Sequence, residues 1–155
     1  MSTLARERGV SRLRSLVEQA RASLERIPLS IPQLLARLAI AGVFFRSGQS
    51  KIANWDLTVQ LFQDEYHLPL IPPDLAATMG ASFELGCSTL IVLGLLTRIA
   101  VLPLLGMTAV IEIFVYPQNW PEHLTWTALL IFLLLRGAGA YSLDHLIGSN
   151  LRRMR

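Results

Sequence analysis

Residues 75–116 read LAATMGASFELGCSTLIVLGLLTRIAVLPLLGMTAVIEIFVY, and this stretch decides the fold. It holds two apolar runs, about Leu75 to Leu96 and about Ile99 to Tyr116. A helix needs about 20 such residues to cross the hydrocarbon core of a bilayer. Both runs meet that length. Little more than Thr97 and Arg98 joins them. So tight a turn makes the two predicted helices antiparallel neighbours.

Upstream, residues 33–52 contain LLARLAIAGVFF and predict a first span. Downstream, LTWTALLIFLLL at 124–135 predicts a fourth, starting near Pro121. Its strictly apolar part is short, so it is expected to continue through GAGAY at 137–141. The 155 residues are 52% hydrophobic and only 16% charged. Soluble domains carry about 25% charged residues. Here the apolar residues are also blocked into runs, which separates a membrane protein from a greasy soluble one. The expected fold is therefore all-α: an integral membrane four-helix bundle with four transmembrane helices. The first apolar run starts only near Ile31 and ends in no small-residue cleavage site. It reads as a retained span rather than a signal peptide.

Residues 1–27 are different in kind. Val10, Leu13, Leu16, Val17, Ala20, Leu24 and Ile27 recur at steps of three and four, which traces one helix face. Arg6, Arg8, Arg12, Arg14, Arg21 and Arg26 lie mostly off that face. A basic amphipathic helix suits a membrane surface, where anionic head groups attract it. Pro28 and Pro32 turn the chain towards the bilayer. Three segments follow: an amphipathic interfacial helix over 1–27, a transmembrane domain over 28–146, and a basic tail over 147–155.

The positive charges explain orientation rather than nucleic-acid binding. The formal charge is +3. The cations sit in the N-terminal tail, at Arg98 in the tight turn, and at Arg152, Arg153 and Arg155. The long loop after the first span holds none beyond Lys51, and carries Asp56, Asp64, Glu65 and Asp74 instead. Basic segments stay in the cytoplasm. Both termini are thus expected there, in a multi-pass protein of the cell membrane, with no nucleic acid among its partners.

Charged groups at membrane depth carry the functional expectation. They are Arg37, Arg46, Glu84 and Glu112. Arg37 lies one turn into the first span and is expected to snorkel to head groups as an anchor. Counting 1.5 Å per residue puts Arg46, Glu84 and Glu112 in one slab of the outer half. Unpaired charges there are costly, so Arg46 is expected to face Glu84, Glu112 or both. Lys51, nearer the surface, is a fourth candidate. The cluster serves either as an ion-pair network that fixes helix order, or as a polar pocket for a ligand or a proton.

Other chemistry is thinly supported. Cys87 is single, so no internal disulfide or thiol pair exists. It reads as a small buried filler. His67, His123 and His145 lie outside the apolar cores and make no haem-ligating pair. No HExxH, Walker loop, GxGxxG or nucleophile elbow is present, and no metal site is evident.

Three pieces in order resemble the DoxX family of small bacterial and archaeal membrane proteins. They are RLAIAGVFFRSGQSKI at 37–52, FELGCSTLIVLGLLTR at 83–98 and RGAGAYSLD at 136–144. Together they cover about residues 33–146. The resemblance implies a four-helix membrane bundle, in agreement with the periodicity. It also implies a link to thiosulfate:quinone oxidoreductase subunits or to membrane-associated oxidative-stress complexes, in which the chain contributes a quinone-facing site or an anchor to a partner enzyme and the ligand itself stays open. A fold alone does not transfer a reaction. The expectation is a non-autonomous membrane subunit with a partner redox subunit, or a homo-oligomer, in the lipid bilayer. The alternatives are a non-catalytic anchor or assembly factor, and a small-solute or lipid transporter.

Overall fold

A computed structural model describes residues 2–66 and 68–153, with side chains over 14–66 and 68–150. His67 and the side chains of Arg6, Arg8, Arg12, Arg152, Arg153 and Arg155 lie outside the described residues. The described residues are helical and contain no strand.

The first helix is α1, Ser2–Glu25, and the second is α2, Ser30–Ala53. A bend of 66° separates them at the prolines. A short α3, Trp55–Leu61, runs into a π-helical turn, Phe62–Tyr66. Then come α4, Pro73–Leu93, and α5, Thr97–Val110. A second π-helical turn, Ile111–Val115, prolongs α5. Next are α6, Trp120–Arg136, and α7, Leu143–Arg153. Helices α2, α4, α5 and α6 close a ring, each touching two neighbours.

Helical phase explains the packing. On α2 the buried positions are Gln33, Ala36, Arg37, Ile40, Ala41, Phe44 and Gly48. On α4 they are Ala77, Gly80, Ala81, Glu84, Cys87, Ser88 and Ile91, among others. Both sets follow the three-and-four step of one helix face. Small residues on these faces let backbones approach closely. Ile40, Phe44, Ile91, Leu104, Leu130 and Leu133 fill the centre. Cys87 is buried there as a filler. Leucines and isoleucines elsewhere are widely exposed, as they are on helices solvated by lipid.

Pro73–Leu93 and Thr97–Val115 are long and apolar enough to cross a membrane, and Arg14–Glu25 with Ser30–Ala53 passes as one bent pair. The α6 helix has 17 residues. Its expected continuation through residues 137–141 does not form. Gly137, with φ of 75°, and Gly139, with φ of 82°, turn the chain back into the bundle. A side chain on Gly139 would sit 2.7 Å from Oε1 of Gln33, so glycine is required for that approach.

Arg37 corrects a second expectation. It does not reach the surface but is 2% exposed. Its Nε donates to Ile91 O at 2.7 Å, and its Nη2 donates to Val92 O. Its Nη1 donates to Ala138 O at 3.1 Å and to Tyr141 O at 2.6 Å. The reason lies in the end of α4: Gly94 breaks the helix and leaves Val92 O without an intrahelical donor, while Ile91 O takes the Gly94 amide at 3.1 Å and has a lone pair to spare. A planar guanidinium is the side chain that can serve several such acceptors together.

The same end is closed by two more long-range contacts. Asp144 accepts from the amides of Leu96 at 2.8 Å and Thr97 at 3.1 Å, which caps α5 across 47 residues or more. Gln33 donates to the carbonyls of Arg136 and Gly137, the last of α6. The pieces LGLLTR and RGAGAYSLD are therefore a structural closure at the basic end.

Candidate functional site

The opposite, acidic end is open inside. A cavity of about 550 Å³ lies there between α2, α4, α5 and α6, under the segment that follows α3. Phe44, Phe62, Met79, Phe83, Met107, Val110 and Trp126 give it an apolar wall. Its polar members are few: Ser47, Lys51, Glu84, His123, Tyr66, Tyr116, Asn119 and Glu122. Apolar walls with a few convergent polar groups are the usual make-up of a small-molecule site.

One wall carries Lys51 of α2 and Glu84 of α4. Lys51 Nζ donates to Glu84 Oε1 at 2.8 Å and Oε2 at 2.9 Å. Ser47 joins both: it accepts from Lys51 at 2.8 Å and donates to Glu84 at 3.2 Å. The Glu84 side chain is 3% exposed and that of Lys51 14%. A carboxylate so deep in an apolar layer is tolerable only when paired and hydrogen-bonded.

Gly48 makes the pairing possible, since it lies between Ser47 and Lys51 where α2 meets α4. A Cβ there would stand 2.7 Å from Leu85 Cγ and 3.1 Å from Glu84 Cβ. Gly48→Ala is expected to force the helices apart and destabilise the protein by about 1–3 kcal/mol, the usual range for overpacking. Thermal unfolding in detergent checks this, and an unchanged midpoint would contradict the close approach.

The other wall carries Glu112 and His123. Glu112 lies in the π-helical turn after α5, and His123 in the first turn of α6. His123 Nδ1 and Glu112 Oε2 are 2.6 Å apart. An ionised carboxylate can only accept, so the ring donates from Nδ1. Nε2 is then left without a hydrogen bond among the described residues. His123 lines the cavity, and Glu112 stands behind it. The histidine also packs on Trp126, with ring centroids 5.1 Å apart, and Trp126 packs on Phe44 at 5.5 Å.

The single cluster expected from depth thus resolves into two separate pairs, one between α2 and α4 and one between the end of α5 and α6. Arg46 belongs to neither. It is exposed, makes no ion pair among the described residues, and does not line the cavity. The acids take Lys51 and His123 instead. His123 precedes the apolar run, and that position hides it in the sequence. Its spacing of seven residues from the buried Leu130 places it on the buried face of α6.

Tyrosines stand at the cavity's acidic end. Tyr66 and Tyr116 meet edge to face, with centroids 5.8 Å apart, and Tyr116 donates to Glu65 at 2.5 Å. Burial pushes the Tyr66 hydroxyl above its ordinary range, so it is a neutral donor at physiological pH. Among the described residues, no three His, Cys, Asp or Glu side chains are placed to hold a metal ion.

The DoxX family model matches residues 33–117, more than half of the chain. The chain belongs to the DoxX family. The matched region of this DoxX protein runs from the Gln33 and Arg37 closure to the tyrosines, and includes Lys51, Glu84 and Glu112. His123 and the 136–144 segment lie beyond it. No curated protein and no solved structure matches. Family and apolar helices together make this a membrane protein in contact with the lipid bilayer.

Proposed function

We propose that this DoxX protein is the ligand-holding membrane subunit of a quinone-linked redox system. In this reading it crosses the cell membrane four times with both termini cytoplasmic. The gathering of basic residues at the closed end supports that orientation. The cavity faces the outer half, and a partner subunit carries the rest of the redox chemistry.

One observation carries the reading: Lys51, Glu84 and His123, each held by a partner, line a largely apolar cavity of about 550 Å³. A quinone ring is apolar on its faces and has oxygens at opposite edges. It supplies the electron-carrying group, and the chain's own residues position it. Lys51 would turn one of the two ammonium hydrogens now held by Glu84 towards one ligand oxygen. His123 Nε2, with Nδ1 held by Glu112, would accept a hydrogen bond from the hydroxyl that the reduced form of the ring carries. The apolar walls exclude water and bury the ligand body. Arg46 has no part in this arrangement.

Purification in a gentle detergent, followed by mass spectrometry of bound small molecules, tests the reading. The native chain is expected to retain a quinone. Glu84→Gln and His123→Gln are each expected to reduce retention about tenfold or more, as loss of a buried charge-assisted hydrogen bond does. Variants that fold normally and retain quinone at the native level would sink it.

A further inference from the structure

Besides the short α3, two helices lie outside the bundle, and both belong to its closed, basic end. Helix α1 enters α2, and the two meet at 66°. Helix α7 starts where Asp144 is tied to the α4–α5 turn, with its amide on Gly94 O at 2.9 Å and its carboxylate on Leu96 and Thr97. Ser30 Oγ, at the start of α2, accepts from the Ala140 amide at 3.1 Å. Both extra helices thus spring from the same level of the protein.

Each presents an uncovered apolar face. On α1, Leu16 is 61% exposed, Val17 59% and Leu24 67%, and Ile27 follows beyond the helix at 51%. On α7, Leu146 is 56% and Ile147 50% exposed, with Leu143 one turn earlier. Among the described residues nothing covers these faces, and the bundle core is filled without them. Such exposure is large for a helix in water and ordinary for one lying in a lipid interface.

Charge identifies the occupant. Arg14, Arg21 and Arg26 outnumber Glu18 and Glu25 along residues 14–27, and Arg98 and Arg136 stand exposed at the same end of the bundle. Arg21 pairs with Glu25 at 2.9 Å, but both groups are exposed, so the pair leaves the cation available. The opposite end carries acids in its long loop instead. An apolar strip bordered by arginines matches an anionic lipid surface, where tails accept the leucines and phosphates accept the guanidiniums.

We propose that α1 and α7 form a collar that lies in the membrane interface and binds anionic lipid head groups around the basic end of the bundle. The 66° turn at the prolines lays α1 across the axis of α2, as an interfacial helix requires. The Asp144 cap fixes the starting point of α7 at the head-group level. The collar does not depend on what the cavity holds.

The test uses the full chain in lipid nanodiscs. Spin labels are placed at Leu24→Cys and, separately, at Leu146→Cys, with Cys87→Ala removing the native thiol. Depth is read from the relative access of oxygen and of a water-soluble nickel chelate. In discs containing phosphatidylglycerol, both labels are expected to lie among the lipid chains. In pure phosphatidylcholine the α1 label should move towards water. Arg14→Gln, Arg21→Gln and Arg26→Gln should each lower its inserted-to-solvated ratio about fivefold in the anionic discs. Three outcomes overturn the proposal. The first is a pair of labels open to the nickel chelate in anionic discs. The second is equal insertion in both lipids, which removes head-group recognition. The third is dipolar broadening between labels on two chains whatever the lipid, which makes a second copy the occupant.

Discussion

Lys51→Ala is expected to destabilise the protein by about 3–5 kcal/mol, the cost of leaving a buried charge without its partner. The Glu84 carboxylate would keep only Ser47, whose single hydroxyl cannot replace two ammonium hydrogen bonds. Glu84→Gln should cost less, about 1–3 kcal/mol. Lys51 stands two residues from the end of α2 and is the less buried partner, so it can turn towards water. Lys51→Met with Glu84→Leu should recover most of the loss, because an apolar pair of similar size has no charge to desolvate. Thermal unfolding of the four proteins in one detergent gives the order of stabilities. A reversed order, with Glu84→Gln the worse single variant, would show that the carboxylate is not the charge held in place by the pair. The double variant also separates stability from function. It is expected to unfold near the native temperature yet lose the cavity ligand.

The residues that mislead and the residues that inform differ in one physical respect. Depth along a helix follows from counting, and the sequence shows it. Rotation around the helix also follows from counting, but only once one buried residue is known. Arg46 is nine positions from Arg37, which is about half a turn away at 3.6 residues per turn. Lys51 is fourteen positions away, close to the same face. With Arg37 buried, Lys51 must face α4 and Arg46 must face outward. Arg37 itself was unreadable, since an arginine one turn into a span snorkels as readily as it turns inward. Its direction is set by carbonyls more than fifty residues away. His123 had a signal in its spacing to Leu130, and being ahead of the apolar run hid it. The all-α membrane character was legible because it depends on composition and run length alone. The end of α6 was not, because Gly137 and Gly139 continue an apolar-looking run while φ above zero takes the chain out of the helix.

Arg37→Met should have the largest structural effect at the basic end. It removes a donor from four carbonyls, of which Ile91 keeps the Gly94 amide and Val92, Ala138 and Tyr141 are left without one among the described residues. Each buried group left unsatisfied costs about 1–3 kcal/mol. The loss should therefore reach about 4 kcal/mol even if water re-enters at some of them. Arg37→Lys should recover only part of it, because one ammonium lacks the planar fork that spans two segments. Gly94 provides the independent check. It holds a φ of 67°, and a Cβ there would lie 2.5 Å from Ser142 Cβ and 2.7 Å from Arg37 Nη2. Gly94→Ala would add about 1–2 kcal/mol of left-handed backbone strain to that clash. Both variants should lower the unfolding temperature and loosen the same loop, read as faster hydrogen exchange at residues 138–144. Neither should alter cavity-ligand retention per folded molecule, because the pairs that line the cavity sit at the other end of the bundle. If Arg37→Met unfolds at the native temperature, those carbonyls find other donors. If it keeps its stability but loses the ligand, Arg37 acts on the cavity rather than on the closure.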